Sequence, residues 1–208
     1  MKITKPKITK YENKDLLDAY YESDFNNYKF SKNIEDKITI RNTTFDSCIF
    51  ENIDFTNINL EDVNLIDVTF NNCDLSNKSF DENLIGRVVF KNCKMLGVSF
   101  IDSSLKDIFI DNCTSKYLNL SNAKMNNILI KDSDLSEATF LETNIKNIGF
   151  EKVNLYKTEF IKTNLFGIDF SNSDISNTIF DLNSLKGIII DRFQSQDLVG
   201  MLGVKIKE

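Results

Sequence analysis

The chain has 208 residues, 41% of them hydrophobic, enough for one domain with a continuous core. Its net charge of −6 disfavours a nucleic-acid-binding surface, which needs a basic face. There is no His and no Trp, so His-based metal sites and His acid–base pairs are excluded.

Residues 1–39 read as an N-terminal cap segment. The start, Met1-Lys2-Ile3-Thr4-Lys5-Pro6-Lys7, has no apolar run and so lacks a secretory signal. No stretch approaches the roughly 18 apolar residues of a membrane span, so the cytoplasm is the expected compartment. Asn13 is placed to cap a short helix through Lys14–Tyr21. Phe25 and Phe30 already fit the period that follows, and Glu35 breaks it.

From Ile40 to Ile190 every fifth residue is Leu, Ile, Phe or Met, except Ser115: 30 of 31 positions fit. Five is neither the period of a strand nor that of a helix. A helix would smear these residues around its axis, and a flat strand would send alternate ones to opposite faces. A chain that turns after each five-residue side places all of them inside, and so strict a period marks a repeat architecture. The residue two before each centre is mostly small or β-branched, as at Thr43, Cys48, Val63, Val68, Cys73, Ala123 and Ser133. Two apart on an extended segment is one face, so each side points two side chains in and three out. Charge obeys the same rule. Of 35 charged residues in 41–190 only Lys78 takes an inward position, consistent with the cost of burying unpaired charge.

Phe sets the number of sides. Eleven of the 17 Phe lie at multiples of ten, and the alternate centres are mostly Leu, Ile or Met, such as Leu65, Leu75 and Met95. An alternation of ten needs an even number of sides, and two cannot enclose these rings. The predicted fold is an all-β, four-sided parallel β-helix over residues 40–190. At the ordinary ~4.8 Å strand spacing it has about 7–8 coils of roughly 20 residues and a length of about 36 Å, with Phe on two opposite walls.

Two windows break the pattern. Lys78 and Asn83 take inward positions, and Ser115, followed by Lys116 and Tyr117, takes a centre. Each is either a bulge or short loop that carries function, or a polar residue tolerated near a corner. The four cysteines, Cys48, Cys73, Cys93 and Cys113, all take the small inward position. A metal or redox ladder is the functional alternative. Parallel side chains do not converge on a tetrahedral metal, however, and a buried Cys serves as a small apolar residue. The many outward carboxylates are interleaved with Lys, which suits a solvated surface better than a calcium site or an acid–base pair. With no phosphate loop or nucleophile motif, neither a cofactor nor an enzymatic activity is expected.

Residues 191–208 leave the coil. Asp191 or Ser195 is placed to cap a helix to about Leu202, with Gly203 ending it and Val204–Ile206 forming a last strand. Phe193, Leu198, Val199, Leu202 and Val204 are the apolar residues here. They serve either as a cap on the last coil or as a cap and a homodimer interface together.

Ser133-Asp134-Leu135, Thr143-Asn144-Ile145, Val153-Asn154-Leu155, Thr163-Asn164-Leu165 and Ser173-Asp174-Ile175 resemble the pentapeptide-repeat motif: small residue, Asp or Asn, then a large apolar centre. The resemblance covers roughly residues 40–190, and Val89, Leu129 and Ile189 depart from the Asp/Asn position. It implies a right-handed four-sided β-helix. The end, Gln194-Ser195-Gln196-Asp197-Leu198 and Met201-Leu202-Gly203-Val204, resembles the terminal helix and tail of quinolone-resistance (Qnr-type) members. That resemblance implies a two-fold dimer through the C-terminus. It also implies a DNA-like surface that binds DNA gyrase or topoisomerase IV and protects it from quinolones. The unbroken frame leaves no room for the protruding loops many of those members carry.

The acids nearest the start of the coil are the expected partner-binding residues: Glu51, Asp54, Glu61, Asp62, Asp67 and Asp74. With Asp46 they face only Arg41 and Lys78 in residues 41–80, which favours a basic partner. The rival expectation is a scaffold for an unrelated partner. Magnitude tempers the DNA analogy, because about 36 Å of duplex carries roughly 21 negative charges, while the coil's 14 Lys/Arg and 21 Asp/Glu leave far fewer.

Overall fold

The computed structural model describes residues 1–201, 203 and 204. It is a parallel β-solenoid of about 8 turns with one short C-terminal helix. Partners in adjacent coils are 20 residues apart. On one side Phe45, Leu65, Ile85, Leu105 and Met125 pair in succession. On another, single bridges join Asp54 to Asp74, Asp74 to Lys94 and onward to Asp174. The pairing reaches back past Ile40, since Asp24–Asn26 pairs with Thr44–Asp46 and Glu12–Asn13 with Tyr28–Lys29.

Each position of the five has its own task. The second residue after the centre takes the left-handed conformation, as at Asn52, Asp62, Asn72, Asp102, Asn112 and Asn122. This turns the corner, and Asn and Asp tolerate that region better than other L-residues do. At Gly97, φ 63°, the Asn77 Oδ1 lies 2.9 Å from where a Cβ would stand, so a side chain there would have to displace the Asn77 amide. The Asp or Asn before the centre accepts a hydrogen bond from the amide after it: Asp74 from Ser76 at 3.1 Å, Asp134 from Ser136 at 3.0 Å, Asn154 from Tyr156 at 3.0 Å. Such side-chain turns hold the backbone at a bend.

The inward small residue does more than fill space. Ser103 Oγ donates to the Phe80 carbonyl at 2.6 Å, Thr158 Oγ1 to Leu135 at 2.8 Å and Thr178 Oγ1 to Leu155 at 2.7 Å. Each satisfies a buried carbonyl of the coil before it, which would otherwise cost free energy. The cysteines take the same role. Cys93 Sγ lies 3.6 Å from the Phe70 carbonyl of the coil before, and its own amide donates to Cys113 Sγ at 3.3 Å. Cys73, Cys93 and Cys113 thus stack in one column with Ser133, which accepts from the Cys113 amide at 3.0 Å. Burial pushes the Cys48 thiol up to about 11.

The centres form the core. Phe30, Phe50, Phe70 and Phe90 stack on one wall at ring separations of 4.7–5.1 Å. Phe140, Phe160 and Phe180 stack on the opposite wall. The two ladders meet edge to face across the interior, as at Phe150–Phe160, 6.1 Å and 79°. Both geometries are favoured by the ring quadrupole.

The N-terminal helix differs from expectation. It is a five-residue 3-10 turn, Leu16–Tyr20, and Asp15 rather than Asn13 caps it through a bond from the Leu17 amide. Asn13 is taken up in strand pairing with Lys29. At the other end the helix is Ser195–Met201. Asp191 accepts from the Phe193 and Gln194 amides, and Gln194 Oε1 accepts from the Asp191 amide at 2.9 Å, a reciprocal cap. Gly203 follows with a φ of 72°. Leu202 and the expected strand to Ile206 lie, wholly or in part, outside the described residues.

Candidate interaction surface

The six expected acids do not form one stripe. The coil's corners spread them over all four sides, and only Asp54 and Asp74 share a column. Four are neutralised: Glu51 by Lys29 at 2.6 Å, Glu61 by Arg41 at 2.5 Å, Asp67 by Arg87 at 2.6 Å and Asp74 by Lys94 at 3.5 Å. Asp67 is also buried, at 6% exposure, although its position faces outward. The reason is a feature with no counterpart in the periodic analysis: residues 1–9 lie against the flank of the rod, and the Lys7 amide donates to Asp67 Oδ1 at 2.9 Å.

A different set of acids does line up. Asp62, Glu82 and Asp102 occupy the same left-handed corner in successive coils, with Asp81 beside Glu82. Asp62, Glu82 and Asp102 are exposed and Asp81 half-buried. None of the four forms an ion pair among the described residues. Asp81 accepts from the Ile101 amide at 2.7 Å, which fixes its carboxylate on the edge. Four carboxylates on three coils, about 14 Å at strand spacing, is one charge per roughly 3.6 Å. One strand of duplex DNA carries one per about 3.4 Å. The edge therefore matches the charge density of a single strand, although the rod as a whole does not match a duplex. The signal was present in the sequence, two residues after the centre and 20 residues apart.

The pattern breaks make no loop. The coil keeps its register through both, with Ser79 bridged to Ser99 and Thr114 to Asp134. Lys78 is half-buried, and burial lowers its pKa against the raising influence of Asp54 and Asp74. Asn83 is buried and its amide reaches Ser103 Oγ at 3.4 Å. Ser115 is fully buried with no partner for its hydroxyl. Lys116 pairs with Asp134 at 3.6 Å, and Tyr117 stands at 51% exposure on a left-handed corner.

The C-terminal residues divide. Leu198 packs against the core as a cap residue does, and Val199 is half-buried. Phe193 is 80% exposed and Val204 53%. Phe166 and Leu182, at 72% and 74%, are further exposed apolar side chains of the last coils. Among the described residues no group of three His, Cys, Asp or Glu is placed to hold a metal, and no helix is long and apolar enough to cross a membrane.

Comparison with known proteins follows the same lines. A family model for a pentapeptide repeat region matches residues 63–140, and a model for pentapeptide repeats in eight copies matches residues 40–77 and 133–172. No curated protein matches the chain in sequence. Among solved structures, full-length QnrB1, a plasmid-mediated fluoroquinolone resistance protein, is 20% identical, with 87% of this chain and 90% of that chain covered at a TM-score of 0.49. HetL, a pentapeptide repeat protein involved in heterocyst differentiation regulation in Nostoc sp. strain PCC 7120, is 12% identical, with 81% and 89% covered at a TM-score of 0.36. The two family models together run without a gap over the coil from Ile40 to Asn172, and this chain belongs to the pentapeptide-repeat family.

Proposed function

We propose that this chain is a non-enzymatic interaction protein that presents a DNA-like edge to a type II topoisomerase, DNA gyrase or topoisomerase IV, and protects it from quinolones. The observation that carries this is the corner of unpaired carboxylates, Asp62, Asp81, Glu82 and Asp102. A rigid row of charge at phosphate-strand density is complementary to a basic DNA-binding groove and steers its encounter. The Qnr-like C-terminal motif supports the same reading, and with it a homodimer in which Phe193 and Val204 are buried against a second copy. Binding of immobilised protein to purified gyrase subunits tests the partner. Loss of that binding in the Asp62→Asn/Glu82→Gln/Asp102→Asn variant is the expected result, and unchanged binding would refute the edge. Light scattering that gives a monomer at micromolar concentration would refute the dimer.

The neutralised acids favour a second reading, an interaction scaffold for an unrelated partner. Its expected signature is a pull-down that recovers another protein and no topoisomerase subunit.

A further inference from the structure

Cys73, Cys93 and Cys113 stand one above another in three successive coils. The residue after each is bridged to its counterpart, Asp74 to Lys94 and Lys94 to Thr114, so the column is in register. All three residues are buried, at 2%, 2% and 4% exposure. Each thiol hangs from the same kind of anchor. Cys73 Sγ lies 3.5 Å from the Phe50 carbonyl and Cys113 Sγ 3.5 Å from the Phe90 carbonyl, as Cys93 Sγ lies near Phe70. The three sulfurs therefore run parallel at the strand spacing of about 4.8 Å instead of converging on one point.

That spacing decides what the column can hold. A disulfide needs its Cβ atoms at roughly 3.5–4.5 Å and its sulfurs at about 2.05 Å, closer than parallel strands bring them. Zinc needs four ligands around one point. A soft ion that takes two ligands in line is different. Two metal–sulfur bonds of about 2.3 Å span roughly 4.6 Å, which matches one step of the column. Thiolate ligands select cuprous copper among such ions. The Cys93 amide, which donates to Cys113 Sγ at 3.3 Å, remains in place as a donor to a deprotonated sulfur. Cys73 also borders an open depression of about 270 Å³ together with Asn52, Asp54, Asn72 and Asp74. Its two carboxylates gather cations at the surface beside the column.

We propose that this column is a binding site for a two-coordinate soft metal ion, cuprous copper, held in line between Cys93 and one of its two neighbours. Binding joins the ion to two sulfurs and releases both thiol protons, with no change in oxidation state. Cys48 lies on another side of the coil, between Tyr28 and Val68 in the neighbouring coils, and takes no part. The site is separate from the carboxylate corner and does not rest on a topoisomerase partner.

The test titrates the reduced full chain with cuprous copper, without oxygen, against a chromophoric copper chelator. Wild type is expected to take up copper saturably. Cys93→Ser is expected to weaken binding by at least about a hundredfold, the upper end of what even outer-shell losses cost. It leaves two sulfurs roughly 9.6 Å apart, beyond the span of one ion. Cys73→Ser and Cys113→Ser each leave an adjacent pair and are expected to retain binding, as is Cys48→Ser. Serine already stands at the next step of the column, where Ser133 Oγ accepts the Cys113 amide, so these substitutions suit the coil. No uptake by wild type, uptake unchanged in Cys93→Ser, equal loss in all three column variants, or zinc bound as tightly as copper would overturn the proposal. X-ray absorption of loaded wild type needs no variant: two sulfur neighbours are expected, and three or four would overturn it.

Discussion

Arg87 forks onto Asp67 from the next coil, with Nε 2.6 Å from Oδ1 and Nη2 2.6 Å from Oδ2. The same carboxylate accepts the Lys7 amide, so one buried acid ties two coils and the N-terminal strap together. Charge-assisted forks of this kind are among the stronger hydrogen bonds in proteins.

Asp67 gives the fold an acid limit. Burial pushes its carboxyl upward, but the hydrogen bonds from Arg87 and from the Lys7 amide outweigh it, and the pKa lies below the ordinary value. A depressed carboxylate contributes stability that is present above the unfolded value of about 3.9 and is lost as pH falls through the folded value. Asp67→Asn is expected to cost about 2 kcal/mol at neutral pH. The gap between variant and wild type should close below about pH 4. Thermal melts followed by circular dichroism from neutral to strongly acid pH would show this, and a gap that persists in acid would contradict it.

Phe160 touches Phe140 and Phe180 in its own ladder and Phe150 and Phe170 across the interior. Phe160→Ala is expected to destabilise by about 3–5 kcal/mol, as large-to-small changes in packed cores do. Repeat proteins couple mainly to nearest neighbours. Amide exchange should therefore rise most in the coils around Phe160 and least around Phe50. A uniform rise would show that the rod behaves as one cooperative block.

The buried Ser115 hydroxyl has no partner, and Ser115→Ala removes it without adding volume. The variant is expected to be more stable by about 1 kcal/mol. Urea unfolding measures this, and destabilisation by a similar amount would point to a bound water that the hydroxyl serves.

How much of this was legible in the sequence follows from the size of each signal. The five-residue period of the centres and the ten-residue period of Phe repeat many times, and the 20-residue spacing of Cys73, Cys93 and Cys113 agrees with them, so side, wall and coil were all readable. The corners were readable too, in the Asn and Asp two residues after the centre, but only when read as a demand for left-handed backbone. The acid edge follows from that same column. Counting charge along the chain picked Glu51 and Asp74 instead, because neighbours in sequence lie on different sides of the rod. Their neutralisation by Lys29 and Lys94, one coil away, is visible only at a spacing of about 20. The strap was out of reach of periodicity. It runs along the axis rather than around it, and its partner Asp107 is 103 residues away from Thr4.

Gln194 holds the C-terminal end. Its Nε2 donates to the Phe170 carbonyl at 2.9 Å and to the Ser173 carbonyl at 2.7 Å, while its Oε1 caps Asp191. Gln194→Ala leaves those buried groups unpaired, at a cost of about 1–3 kcal/mol. Exchange in Ser195–Met201 should quicken while the coil around Phe90 is unchanged. Equal protection in variant and wild type would show that Leu198 packing alone retains the helix.

The most direct test of the account is a gyrase supercoiling assay with and without a quinolone, using wild type and the Asp62→Asn/Asp81→Asn/Glu82→Gln/Asp102→Asn variant. Wild type is expected to inhibit supercoiling alone or to restore it in the presence of the drug, and the variant, with an unchanged thermal melt, to do neither. A wild type with no effect under either condition, or a variant as active as wild type, would contradict the carboxylate corner as a DNA-like edge.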